Sequence, residues 1–147
     1  SEWARALLDP NAGRCEIDDI PMIVRGQTAS EDALARQANR VLFCDTDPLT
    51  TCVWSDVLFG RCDEAVRREA QSRRYDLYLL CDTDVEWVDD STRYLGHMRR
   101  EFFERCRDAL ESSGREYVVV RGSWEERFRL ACEAVDGVLG TRNVSAE

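Results

Sequence analysis

The chain has no lysine. All 20 of its basic side chains are arginines, and 29 acidic side chains outweigh them to give a formal net charge of -9. Because duplex nucleic acid is bound mainly through lysine and arginine contacts to phosphates, this excess of acid argues against a nucleic-acid partner. The sequence also has no Gly-x-x-x-x-Gly-Lys-Ser/Thr motif and no glycine-rich turn after a predicted strand, so no backbone cradle for a triphosphate is visible. The chain alone is therefore not expected to bind ATP tightly.

Long apolar runs and paired cysteines are missing as well. No segment has the length of a membrane span and the first residues do not resemble a secretory signal, so we expect a cytoplasmic protein without a membrane partner. The seven cysteines form no Cys-x-x-Cys pair and are odd in number, which disfavours a disulfide framework and a zinc ribbon. His97 is the single histidine, so a metal site built on it has little support.

What is present fits one globular domain. The 147 residues are 44% hydrophobic and 33% charged, enough for a buried core. Apolar runs predict strands, and helical periodicity predicts the segments between them: strands at 41–45, 75–81 and 116–120, and helices at 18–38, 50–59, 63–73, 91–113 and 123–139. This alternation predicts an α/β fold with a parallel sheet and helices on both faces. The expected domain covers residues 1–140, and residues 141–147 are expected to form a frayed tail.

The sheet predicted in this way has few strands. A doubly wound domain usually carries about five, whereas the sequence predicts three. We therefore expect a sheet that is incomplete at its N-terminal side.

The run Val-Leu-Phe-Cys-Asp-Thr-Asp-Pro-Leu-Thr-Thr at residues 41–51 is the strongest candidate site. Four apolar residues lead into Asp45 and Asp47, which predicts a buried parallel strand that carries two carboxylates to the ligand-binding edge of the sheet. Two such carboxylates could hold magnesium near a phosphate or accept a proton from a substrate hydroxyl. The alternative is that Asp47, which precedes Pro48, caps the following helix.

A second charged segment, residues 82–100, follows the predicted strand at 75–81. It contains Arg93 and closes on Arg99 and Arg100, which suits a lid that brings guanidinium groups onto a transferring phosphoryl group. The alternative is an ordinary solvated helix start, whose arginines pair with glutamates on the same helix.

Two positions could offer a planar surface to a ring. Trp54 falls on the helix after the aspartates, although most aromatic residues at such positions belong to a core. Ser123 and Trp124 follow the third predicted strand, where an adenine ring could rest. Ser123 together with Glu126 also reads as a capping box for the last helix.

Three motifs in order carry a family resemblance. The 41–51 run, Tyr-Asp-Leu-Tyr-Leu-Leu at 75–80 and Glu-Trp-Val-Asp-Asp-Ser-Thr-Arg at 86–93 resemble the nicotinamide riboside kinase domain of NadR-type regulators and its AAA-type relatives among P-loop ATPases. Arg-Gly-Gln at 25–27 also fits, and the similarity extends from residue 2 to about residue 139. It implies a three-layer α/β/α P-loop kinase fold that transfers the γ-phosphate of ATP, with Mg²⁺, to the ribose 5-hydroxyl of nicotinamide riboside in NAD biosynthesis.

The resemblance also implies roles for individual side chains. Asp45 would be a catalytic carboxylate near magnesium and the substrate hydroxyl, and Arg93 would be the catalytic guanidinium of the lid. The other implied contacts are substrate binding by Asp47, Thr50 and Trp54, phosphate binding by Arg99 and Arg100, and adenine binding by Ser123 and Trp124.

The chain departs from the family at its start, because the phosphate-binding loop and the first strands would precede residue 2. It is therefore expected to be either a part of a kinase, inactive alone and lacking a segment of roughly 30 residues or more, or a non-catalytic binding or regulatory module without this loop. A third alternative is an ATPase of the same fold with another acceptor. The abrupt start favours truncation, and the sequence leaves the acceptor and the oligomeric state open.

Overall fold

The computed structural model describes residues 15–88 and 96–144, and the chain divides into two compact units, Ser1–Arg73 and Arg74–Glu147. In the part of the chain that is described, the first unit is helical, whereas the second contains a parallel sheet with helices. No helix among these residues is both long and apolar enough to cross a membrane.

From residue 15 onward, where its structure is described, the first unit contains a short 3-10 turn and three helices. The turn, Ile17–Asp19, leads into α1, which spans Ile20–Ala35, and α2 and α3 span Pro48–Phe59 and Glu64–Ser72. Proline in the first turn of α1 and of α2 suits the helix start, where its missing N–H has no intrahelical partner to lose. Gly60 ends α2 with a φ of 70°, a left-handed conformation that favours glycine. These helices confirm the three predicted in this part of the sequence.

The core of the first unit forms where these three helices meet. It consists of small and branched side chains: Ile20, Val24, Cys52, Val66 and Ala70. Val66 and Ala70 lie four residues apart and so share one face of α3. Burial of each aliphatic side chain stabilises the fold by about 1.5–3 kcal/mol, so this cluster holds α2 and α3 against α1.

The second unit is built on two parallel strands. β1 spans Tyr78–Cys81 and β2 spans Tyr117–Val120, with Tyr78 opposite Tyr117 and Cys81 opposite Val120. Parallel strands need a long crossover connection, which here includes a 3-10 turn at Gly96–Met98 and the helix α4, Arg99–Ser112. Helix α4 contacts β1, and its buried residues Phe103, Cys106 and Leu110 repeat at helical spacing. The predicted α/β fold with a parallel sheet is confirmed.

The last helix, α5, spans Trp124–Val144. It runs four residues past Gly140, where the sequence predicted that the tail would begin to fray. Residues 145–147 lie outside the described part of the chain, as do the residues 91–95 at which the preceding helix was predicted to begin.

The strand predicted at residues 41–45 is wrong. Residues 41–44 have no regular structure, and the chain bends at Asp45 and Thr46. Phe43 is 70% exposed, and its two apolar neighbours on the N-terminal side are exposed too. An apolar sequence becomes a strand only when another strand accepts its backbone hydrogen bonds, and among the described residues β1 and β2 pair only with each other.

Candidate functional site

The candidate site of the first unit is the Asp45-Thr46-Asp47 turn that leads into α2. Thr46 has a φ of 67°, a left-handed conformation that is uncommon for a β-branched residue. Such a conformation costs about 1–3 kcal/mol and persists only where the surroundings fix it. The two predicted aspartates thus flank a strained residue.

Gln27 on α1 supplies the fixing contacts. Its side chain is only 5% exposed, and its Nε2 atom lies 2.7 Å from the carbonyl oxygen and 3.3 Å from the hydroxyl oxygen of Thr46. The same nitrogen lies 3.4 Å from the carbonyl oxygen of Asp45. A buried amide on one helix therefore holds the strained turn that begins another helix.

A buried charge network extends from this amide. Gln27 Nε2 also lies 3.2 Å from Oε1 of Glu31, whose Oε2 accepts from Arg73 at 3.4 Å. The Arg73 guanidinium donates further to Asp32 at 2.8 Å and to Glu69 at 2.9 Å. Because a buried carboxylate such as Glu31 needs a partner to offset its lost hydration, Arg73 stabilises the network that supports the turn.

Asp47 caps α2. Its Oδ1 atom accepts from the backbone N–H of Thr50 at 2.8 Å and from the Thr50 hydroxyl at 2.6 Å, and the residue is buried. The capping interpretation of Asp47 is therefore confirmed, and it includes Thr50. Substrate binding by these two residues stays a prediction.

Asp45 and Trp54 are the more accessible members of the predicted substrate site. Asp45 is exposed, and Trp54 is half-buried. Trp54 follows Asp47 by seven residues, which places it about 10 Å further along the helix and near the same face. The half-buried Trp54 ring lies on the helix that the Asp47 carboxylate caps, and substrate binding by Trp54 stays a prediction.

The donor chemistry of the turn fits magnesium. Mg²⁺ is commonly bound by one or two carboxylates together with substrate phosphates, and an exposed carboxylate such as Asp45 can provide that contact. Within residues 15–88 and 96–144, no group of three His, Cys, Asp or Glu side chains could hold a metal by itself. A magnesium ion held at Asp45 would take its other ligands from substrate phosphates and water.

In the second unit, one arginine joins the ends of both strands. Arg127, only 6% exposed, donates to the carbonyl oxygens of Gly122 and Asp82, each at 3.0 Å, and pairs with Oδ1 of Asp84. The backbone N–H of Gly122 donates to Oδ2 of Asp84 at 2.6 Å. The Gly122 bond, together with the Arg127 guanidinium, lowers the pKa of Asp84 below its ordinary value.

Sequence reasoning missed Arg127 because its partners lie far away in the chain. Asp84 precedes it by 43 residues, so no local periodicity connects the two. The usable signal was the pair of strand ends, since the carboxyl ends of neighbouring parallel strands meet at one edge of a sheet.

Arg99 and Arg100 lie at the start of α4. The Nη2 atom of Arg99 donates to the carbonyl oxygens of Thr83 at 3.0 Å and Val85 at 2.8 Å. The guanidinium of Arg99 lies 5.2 Å from the Trp87 ring centroid. Arg99 thus braces the loop after β1.

Arg100 is more exposed than Arg99 and is paired with two carboxylates. It lies 3.2 Å from Asp82 and 2.7 Å from Glu104 on its own helix. The pair with Glu104 matches the helix-start alternative, whereas Asp82 lies outside the helix, and phosphate binding by Arg99 and Arg100 stays a prediction. Arg93 lies outside the described residues.

The capping box at the start of α5 is confirmed. The N–H of Ser123 donates to Glu126 Oε2 at 2.8 Å, and the N–H of Glu126 donates to Ser123 Oγ at 3.3 Å. Trp124 is 76% exposed, with the Arg127 guanidinium 5.8 Å from its ring centroid. The Arg127 guanidinium lies over one face of this exposed ring, and adenine binding by Ser123 and Trp124 stays a prediction.

Comparison with known proteins places the chain in a family. The model of the AAA domain family matches residues 2–127. The trifunctional NAD biosynthesis/regulator protein NadR of Escherichia coli (strain K12) is 30% identical over 146 residues, which cover 95% of this chain and 36% of that protein. NadR of Salmonella typhimurium (strain LT2) is 29% identical over 128 residues, covering 85% of this chain and 31% of that protein. The chain thus spans about a third of the length of these relatives.

These matches confirm the resemblance that the three motifs carried. The family model covers most of the chain, including the turn at Asp45 and both strands of the sheet. Together with the α/β fold, the family match supports a function like that of P-loop kinases or NTPases. The chain belongs to the AAA domain family.

Proposed function

We propose that this domain takes part in the transfer of the ATP γ-phosphate to the ribose 5-hydroxyl of nicotinamide riboside or a similar nucleoside. The observation that carries the proposal is the strained Asp45-Thr46-Asp47 turn, which a buried polar network holds at the start of a helix. Strain of this kind is concentrated at ligand sites, where the surrounding structure maintains it. The similarity to NadR, a protein of NAD biosynthesis, supports the choice of acceptor.

Asp45 has the central role in this mechanism. When bound, Mg²⁺ supplies charge neutralisation to the phosphate oxygens. The exposed Asp45 carboxylate holds the ion or accepts the proton of the attacking ribose hydroxyl. Trp54 offers its ring to the nicotinamide, and the cap between Thr50 and Asp47 fixes the helix that carries this wall.

For the second unit by itself, the family resemblance supports phosphate binding by Arg93, Arg99 and Arg100 and adenine binding by Ser123 and Trp124. ATP and nucleosides are cytoplasmic metabolites, so the proposal also places the protein in the cytoplasm.

A non-catalytic binding or regulatory module is the second candidate. It is favoured by one observation, namely that Asp47 and Arg99 are already engaged in contacts within the fold. A carboxylate and a guanidinium that stabilise the fold have fewer acceptors and donors left for catalysis. An ATPase with another acceptor would share the fold but would not depend on the nucleoside.

Nucleoside binding can be measured on the chain itself. Calorimetric titration with nicotinamide riboside should show binding that weakens about tenfold in Asp45→Asn, because a charge-assisted hydrogen bond is lost. Asp18→Asn is the matched control, since Asp18 is an exposed aspartate of the 3-10 turn before α1. Equal affinity in the two variants, or no binding at all, would remove Asp45 from the site.

Catalysis is tested on the full product of the gene that encodes this chain. ATP consumption should require nicotinamide riboside and fall at least about 100-fold in Asp45→Ala. ATP consumption at the same rate with and without the nucleoside would indicate an ATPase. Binding without consumption would indicate the binding module.

A further inference from the structure

Two cysteines of the first unit are in direct contact. The Sγ atoms of Cys52 on α2 and Cys62 in the following loop lie 3.0 Å apart, and both thiols are free. Sequence reasoning missed this pair, because the two cysteines lie ten positions apart and match no metal or redox motif.

The fold itself brings the two thiols together. Gly60 reverses the chain in the left-handed conformation, so the loop returns along α2. The fully buried Ser55 hydroxyl donates to the carbonyl oxygen of Arg61 at 2.7 Å, one residue before Cys62. An ion pair of 2.7 Å between Arg67 and Asp56 ties α3 to α2. The contact is thus set by helix packing and hydrogen bonds.

The two thiols differ in access. Cys52 is 5% exposed and belongs to the core cluster, whereas Cys62 is half-buried and open to a small reagent. Burial raises the pKa of both thiols above the ordinary value, and for Cys62 its contact with Cys52 and the charge of Arg67 oppose this increase. We therefore expect Cys62 to react first, and the raised pKa makes its reaction with an oxidant slow.

We propose that Cys52 and Cys62 form a redox-active dithiol, which a small-molecule disulfide of the glutathione type oxidises to an intramolecular disulfide. The Cys62 thiolate attacks one sulfur of the oxidant and releases a thiolate, which takes up a proton to become the first thiol. Cys52 then loses its proton, attacks the Cys62 sulfur of the mixed disulfide and releases a second thiol. The protein loses two electrons and two protons, and one molecule of oxidant becomes two thiols.

The bond would join α2 to the loop before α3. Cys52 follows Thr51, whose hydroxyl donates to the carbonyl oxygen of Asp47 at 3.0 Å, so the cross-link lies one turn from the cap of α2. Closing a loop of this size restricts the unfolded chain, and we expect the thermal midpoint to rise by about 5 °C on oxidation. This inference does not depend on the proposed kinase function.

The test is oxidation of the folded 147-residue chain with glutathione disulfide, followed by alkylation of the remaining thiols and peptide mass mapping. We expect a peptide cross-linked between Cys52 and Cys62, together with the increase in thermal midpoint. Cys62→Ser should abolish both. Cys132→Ser, which alters an exposed thiol of α5, should change neither, and Cys15→Ser tests a third thiol that packs against the same core cluster.

Three results would overturn the proposal. The first is glutathione attached to Cys62 without any intramolecular bond. The second is a cross-link that forms only after the chain is unfolded in denaturant. The third is a cross-link between Cys15 and one of the two cysteines.

Discussion

The Nε2 atom of Gln27 lies 2.7 Å from the carbonyl oxygen of Thr46, so one buried amide on α1 secures the left-handed residue between Asp45 and Asp47. Within the described residues, Oε1 of Gln27 is buried without a recorded hydrogen-bond partner. The amide therefore stabilises the turn through its nitrogen alone, and a buried oxygen without a donor costs free energy. Gln27 thus makes a polar contact that an apolar side chain of the same size could not replace.

Gln27→Leu is expected to lower the free energy of unfolding by about 1–3 kcal/mol, because the Thr46 carbonyl oxygen loses its donor. Urea denaturation measures this change. Gln37→Leu is the matched control, since Gln37 is exposed and its contact to the Ala33 carbonyl oxygen is long, at 3.4 Å. The control should change stability by less than about 0.5 kcal/mol. Equal losses in both variants would contradict the anchoring role.

Substitutions of Asp47 can distinguish its role as the cap of α2 from a role of its negative charge in substrate binding. Asp47→Ala should destabilise the protein by about 1 kcal/mol, whereas Asp47→Asn should retain most of the cap. If the carboxylate also binds the nucleoside, the asparagine variant loses affinity in calorimetry at nearly unchanged stability. Asp63→Ala serves as control. The Asp63 carboxylate caps α3 by accepting a hydrogen bond of 2.8 Å from the Ala65 N–H, and this cap lies away from the turn. A loss of affinity in this control would show that stability alone explains the effect.

Arg127→Met should be among the most damaging changes in the second unit, with a loss of about 2–3 kcal/mol. It removes charge-assisted hydrogen bonds at the ends of β1 and β2 and leaves two carbonyl oxygens without this donor. Arg129→Met, two residues further along the same helix, removes only an exposed pair with Glu133 and should cost less than about 0.5 kcal/mol. Thermal or urea unfolding followed by circular dichroism distinguishes the two variants. Similar losses would mean that the strand-end contacts contribute little.

The stability of the second unit should fall in acid. The hydrogen bond from the Gly122 N–H lowers the pKa of Asp84, and the bond from the Ser123 N–H lowers that of Glu126. A carboxyl with a lower pKa in the folded than in the unfolded state stabilises the fold above its unfolded pKa of about 4. That contribution is lost as the pH falls through the folded pKa.

Urea midpoints measured from pH 6 down to pH 2.5 check this dependence. The decrease should be smaller in Asp84→Asn than in the parent chain, and smaller again when Glu126→Gln is added. A pH profile that is identical in all three proteins would show that these bonds do not distinguish the folded from the unfolded state.

Features with local causes were predictable from the sequence. The helix that ends at Gly60 follows from helical periodicity and a left-handed glycine, and the box formed by Ser123 and Glu126 needs only a spacing of three residues. The strands β1 and β2 were predicted with the observed C-terminal ends and with starts three residues and one residue too early, because each is a short apolar run between polar segments.

Features with distant partners were not predictable. The run at residues 41–45 has the composition of a strand, yet pairing depends on another segment and not on composition. Likewise, the partners of Arg73 on α1 lie more than forty residues away in the chain, and no spacing rule reaches that far. The strained Thr46 was hidden for the same reason, because the amide that holds it lies 19 residues upstream.

The contact between Asp84 and Arg127 alters how the second unit would meet a polyanion. By sequence alone, the segment after β1 is rich in carboxylates and should repel a polyphosphate. In the fold, the guanidinium of Arg127 lies against Asp84, and Arg100 lies against Asp82. The local electrostatic potential at the end of β1 is therefore less negative than the acidic sequence indicates, which lowers the repulsion that an incoming nucleotide would encounter.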